Sequence, residues 1–70
     1  MRHYFYVKEY NEDEGYHLCL DENGMEHRLV IGFLDGFAIE EEAEFELVGK
    51  KISVSYTEPW ISFAKDARLE

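Results

Sequence analysis

Residues 43–56, AEFELVGKKISVSY, decide how this chain is read. They suit a β-hairpin. A two-residue loop at Gly49-Lys50, with glycine at the first turn position where positive φ is easy, sets Leu47 opposite Ile52, Phe45 opposite Val54 and Ala43 opposite Tyr56. Those six side chains share one face; Glu44, Glu46, Ser53 and Ser55 share the other. A slip of one residue in either arm would mix the faces, so turn and pattern agree on one pairing. The competing reading extends a short helical turn at Ala38–Glu42 through Glu46 and ends it before Gly49. The period-two run Glu44-Phe45-Glu46-Leu47 favours the strand.

Upstream, Tyr16 to Ile31 forms a second expected hairpin. Asn23-Gly24 is the preferred pair for a type I′ turn, which needs positive φ at both central positions. Folding there opposes Tyr16 to Ile31, Leu18 to Leu29 and Leu20 to His27 as the core face. His17, Cys19, Asp21, Glu26, Arg28 and Val30 fall on a solvated outer face, with Cys19 opposite Arg28. His3 to Tyr10, rich in aromatic and β-branched residues, reads as the first strand, with Tyr4, Tyr6, Lys8 and Tyr10 on one side and His3, Phe5, Val7 and Glu9 on the other. Between the hairpins, GFLDGFAIEEE at 32–42 breaks the alternation. Its two glycines suggest a turn or sheet corner, and Glu40–Glu42 suit the start of a short helix. After Tyr56, Pro59 stops the ladder, and Trp60, Ile61 and Phe63 need somewhere to pack, as a lid or a short extra strand.

Seventy residues make one domain, 1–70, with the final Leu69-Glu70 given no weight because it matches a cloning scar. A chain this short buries only about 60% of its unfolded surface, and five Tyr, five Phe and one Trp compensate. No apolar run is long enough to span a membrane, and the N-terminus does not read as a signal peptide. One cysteine forms no internal bridge, so the expected location is the cytoplasm, and a bacterial or phage origin would suit. Sixteen acids against seven bases leave a formal charge of −9, spread over both sides of Gly36. That balance disfavours a phosphate-backbone partner and suits a basic protein.

Strand, strand, strand, short helical connection, strand, strand: this order resembles the OB-fold, a small five-stranded barrel with a helix between its third and fourth strands. The resemblance covers nearly the whole chain and implies oligonucleotide, oligosaccharide or protein binding across the outer face of strands two and three. An SH3-like barrel is the alternative, but its helical turn lies between the last two strands. A nucleic-acid site would want aromatic platforms in a basic groove, and the expected outer face has no Phe, Tyr or Trp.

Four groups of residues could carry function. Tyr4, Tyr6 and Tyr10, with Lys8 between them, form a stripe that is either a binding strip or a core edge; Trp60 joins it as a candidate contact. Glu40, Glu41, Glu42, Glu44 and Glu46 are either a solvated face or an imitation of nucleic-acid charge. His3, His17, His27 and Cys19 lack the spacing of a zinc site, so no metal or cofactor is expected. Ser53, Ser55 and Cys19 have no base in register, so an enzyme is not expected. The expected function is a monomeric, non-enzymatic module that recruits a protein partner through the tyrosines and Trp60. The alternatives are an acidic mimic that blocks a nucleic-acid-binding protein and a single-stranded nucleic-acid binder.

Overall fold

The computed structural model describes residues 2–55, 62–64 and 66–70. The chain is mainly β. β1 (His3–Asn11) is its longest strand and pairs on both sides: with β2 (Tyr16–Leu20) and with β6 (Lys51–Val54), both antiparallel. β3 (Glu26–Ile31) continues the sheet beyond β2. β4 (Phe33–Leu34) and β5 (Phe37–Ala38) form a separate two-stranded ribbon, and α1 (Glu41–Glu46) follows it. β7 (Ser62–Ala64) runs parallel to β3, and β8 (Arg68–Leu69) runs antiparallel to β6. The main sheet therefore has the order β7-β3-β2-β1-β6-β8. Its outermost strands, β7 and β8, are not hydrogen-bonded to each other among the described residues, although only residues 65–67 separate them in the chain. Leu69 and Glu70 belong to this framework. Leu69 pairs with Ile52, and the Glu70 N–H donates to the Lys51 carbonyl at 2.9 Å.

The β2–β3 hairpin differs from expectation by one residue, with large consequences. His17 opposes Leu29, Leu18 opposes Arg28, and Cys19 opposes His27, not Arg28. The cause is the loop. Asp21 donates its N–H to the Met25 carbonyl at 2.9 Å, and Gly24 donates to the Asp21 carbonyl at 3.0 Å. This is a type I turn closed by a glycine with φ of +80°, spanning three residues instead of two. The Asp21 carboxylate fixes it by accepting the N–H groups of Asn23 and Met25 at 2.8 and 2.9 Å. Asp at the first position and Gly at the fourth are the residues a type I turn prefers. Side chains alternate with period two, so the extra loop residue turns β2 over. His17 and Cys19 enter the core, while Tyr16, Leu18 and Leu20 are half-buried on the outside. β3 keeps its expected faces, with Leu29 and Ile31 buried.

A β-bulge does the same within β1. Val7 opposes Cys19, but the next pair is Glu9 with Leu18, so Lys8 is an extra residue. Before it, Phe5 and Val7 point inward, and Tyr4 and Tyr6 outward. After it, Tyr10 lies opposite His17 on the inner side. The tyrosine stripe is therefore split: two rings face out and one faces in.

Residues 43–55 do not form a hairpin. Glu41–Glu46 is helical, Val54 pairs with His3 and not with Phe45, and Tyr56, the expected partner of Ala43, lies outside the described residues. Three acids in the first turn, Glu41, Glu42 and Glu44, favour the helix through its dipole, and Glu and Ala are strong helix formers. Packing completes the choice. Leu47, one helical turn beyond Ala43, is buried, whereas Phe45 stays 47% exposed. Gly49, with φ of +89°, ends the helical segment and does not reverse a strand. Its N–H donates to the Val7 carbonyl at 2.8 Å and delivers the chain to β6. The core consists of Phe5, Val7, Cys19, Leu29, Ile31, Leu47, Ile52, Val54, Ala64 and Ala67, with Leu34 and Ile39 packed against it.

Candidate functional site

Turning β2 over builds an outer face that sequence pairing did not anticipate. One row across the sheet reads Lys51, Tyr6, Leu20, Glu26; the next reads Glu9, Leu18, Arg28. Tyr4 and Tyr6 are 37% and 49% exposed. With Leu20, Lys51, Asp21 and Glu22 they line an open cleft of about 260 Å³. Two cations lie over tyrosine rings on this side: Lys51 Nζ is 5.5 Å from the Tyr4 centroid, and Arg28 Cζ is 5.2 Å from that of Tyr16. The Asn11 side-chain amide donates to the Tyr16 hydroxyl at 3.2 Å and steadies that ring. Lys8 pairs with Glu26 at 3.3 Å, both exposed. The face is apolar and aromatic with nearly balanced charge, unlike the chain as a whole.

Tyr10 belongs elsewhere. Its hydroxyl donates to the Glu44 carboxylate at 2.5 Å, and its ring meets Phe45 edge-on at 5.0 Å and lies 4.5 Å from the His17 ring. The hydrogen bond to Glu44, followed by burial, pushes its phenol up to about 12. His17 is 1% exposed, and its Nε2 lies 2.7 Å from the Glu44 carbonyl, so Nε2 carries the proton and donates. Its Nδ1 is buried with no hydrogen-bond partner among the described residues. Burial, which disfavours the charged form, holds the imidazole below its ordinary pKa against the opposing pull of the Glu44 carbonyl. Tyr10, His17 and Glu44 thus join β1, β2 and α1, with the Tyr10 hydroxyl and His17 Nε2 both bonded to Glu44.

Of the acids read as a patch, Glu40, Glu41, Glu42 and Glu46 are exposed, whereas Glu44 is drawn into that junction. Trp60 lies outside the described residues. Cys19 is fully buried, and burial pushes its thiol up to about 12, far from a reactive thiolate. Ser53 donates to Glu70 at 2.5 Å while accepting from Arg2 at 2.9 Å, and Ser55 donates to Asp66. Both hydroxyls tie β6 and the residue after it to the segment 66–70. Among the described residues no group of three or more His, Cys, Asp or Glu is placed to hold a metal ion.

The signal for the outer face was present at Asp21-Glu22-Asn23-Gly24, whose first and fourth residues specify a type I turn as well as Asn-Gly suggests a type I′. The bulge at Lys8 has no comparable mark in the sequence. No protein-family model, curated protein or solved structure matches this chain.

Proposed function

We propose that this chain is an OB-like small barrel acting as a non-enzymatic interaction module, and that it recruits a protein partner through the outer face centred on Tyr4, Tyr6 and Leu20. Three features support the barrel. β7 is parallel to β3, β6 is antiparallel to β1, and the helix falls between the third long strand and β6.

The observation that carries the functional reading is the pairing of Tyr6 with Leu20 beside exposed Tyr4, on a face whose charges nearly cancel. Tyrosine, arginine and large apolar side chains with little net charge are the composition of protein interfaces. A cross-linking experiment tests it. With a photoreactive phenylalanine analogue in place of Tyr6, irradiation in the native host yields a discrete adduct with one protein, and Leu20→Ser removes it. A Tyr6 position that gives no adduct, while an equally exposed position on another face does, overturns the reading.

The cations over Tyr4 and Tyr16 favour a second reading, a single-stranded nucleic-acid binder, because bases stack on such rings at about 1–3 kcal/mol each. It requires an oligonucleotide of mixed sequence to bind at low salt, with Tyr4→Ala and Tyr16→Ala abolishing the binding. The formal charge of −9 makes the protein partner the better fit.

A further inference from the structure

The segment from Gly32 to Gly49 builds a second surface, separate from the tyrosine face. The β4–β5 ribbon turns at Asp35-Gly36, with φ of +52° and +86°, the two consecutive positive values of a type I′ turn. Its base is fastened: Leu34 bridges to Ala67, Asp35 donates its N–H to the Ala67 carbonyl at 2.9 Å, and Ile39 donates to the Gly32 carbonyl at 3.1 Å. On this pinned ribbon Phe37 stands 78% exposed, the most exposed of the large hydrophobic residues described. Phe37 pairs with Leu34, so the two share one face of the ribbon. With Ala38, Ile39, Glu40 and Ala43 they line a cleft of about 250 Å³. A phenylalanine held out on a fixed turn adds nothing to the core, and its position suits an anchor for something that docks.

Charge says what docks. The stretch Gly32–Gly49 carries Asp35, Glu40, Glu41, Glu42, Glu44 and Glu46 and not one Lys, Arg or His. An apolar cleft with Glu40 in its lining, and Glu41 and Glu42 next along the chain, disfavours an acidic segment and favours one in which apolar and basic residues alternate. We propose that this cleft docks a basic amphipathic segment of a partner protein, with an apolar side chain of that segment seated against Phe37 and Leu34 and its Lys or Arg residues facing Glu40, Glu41 and Glu42. The chain then offers two independent docking faces, as a bridging adaptor does.

The probe is a synthetic amphipathic peptide of Leu and Lys, about four helical turns long, titrated into the isotope-labelled full chain and followed by amide NMR shifts. Shifts are expected to concentrate on residues 34–43, and Phe37→Ala weakens binding at least about tenfold with the amide spectrum otherwise intact. The triple change Glu40→Gln, Glu41→Gln and Glu42→Gln weakens it comparably, a Leu/Glu version of the peptide does not bind, and Tyr4→Ala leaves binding unchanged. Four results would each overturn the proposal. Shifts spread over all the acidic loops, indifferent to Phe37→Ala, mean general charge attraction. Shifts at Tyr4 and Tyr6 mean that the other face takes the peptide. Concentration-dependent shifts on residues 34–43 without peptide mean that a second copy of the chain is the occupant. No localised shift at about 1 mM peptide means that the cleft does not take such segments.

Discussion

His17 shows how much one side chain commits. It is buried and bound through Nε2 to the helix backbone, and among the described residues its Nδ1 has no hydrogen-bond partner. A group whose folded pKa lies below its unfolded value stabilises the protein fully above the unfolded pKa and loses that contribution as pH falls through and below it. For His17 the ordinary value is 6.5, so acidification below about pH 6.5 should weaken the fold. Urea unfolding at pH 7.5 and pH 5 should show this loss in the wild type and a smaller one in His17→Gln, whose amide can still donate to the Glu44 carbonyl. Tyr10 works in the opposite sense. Its phenol is held up near 12, so its contribution is whole below pH 10 and fades only above that. A spectrophotometric titration should find one tyrosine ionising near pH 12 that is missing in Tyr10→Phe, and that variant should lose about 1 kcal/mol of stability. Cys19, fully buried with its thiol pushed up to about 12, should resist a thiol reagent at pH 8 in the native protein and react at once in urea.

At the scale of elements, two single-residue insertions set which faces meet. The extra residue in the Asp21–Met25 loop turns β2 over, and Lys8 turns over the end of β1. Deleting Lys8 should drive Tyr10 out of its place beside His17 and Phe45 and unfold the chain at ordinary temperature. Lys8→Ala should change stability by no more than about 0.5 kcal/mol, because the side chain is exposed and only its backbone is needed. Thermal unfolding of the two variants separates these outcomes. The same two insertions explain what the sequence conceals. The faces of β3 and of the first half of β1 follow from alternation, and Leu29, Ile31, Phe5 and Val7 are buried as alternation requires. Asn23-Gly24 suggests the wrong turn because Asp21, two residues earlier, competes for the loop. Phe45 alternates with Leu47 like a strand residue, yet the acids around it and the Tyr10 ring favour a helix. The type I′ turn exists, but at Asp35-Gly36. Tyr4 and Tyr6 were legible in the sequence as a stripe on one face of β1, and the structure leaves both exposed; the outward turn of Leu18, Leu20 and Tyr16 was not legible, because it depends on a loop one residue longer than the simplest.

At the scale of the whole molecule, the chain's two ends are bound together. Arg2 donates to the Ser53 carbonyl at 2.7 Å and to the Asp66 carbonyl at 2.6 Å, and pairs with the Asp66 carboxylate at 3.2 Å. Arg2→Ala should therefore cost about 1–3 kcal/mol in chemical denaturation, since it leaves the Ser53 and Asp66 carbonyls without this donor. The double change Tyr4→Ala with Tyr6→Ala should cost no more than about 1 kcal/mol and abolish partner capture, because these rings face outward. The proposed docking face, the buried histidine and the buried cysteine all rest on one cross-strand alignment between β2 and β3. Proton–proton NOEs across that hairpin test it most directly. They should connect His17 with Leu29 and Cys19 with His27; cross-peaks that instead join Leu18 with Leu29 and Leu20 with His27 would return the leucines to the core and contradict the account.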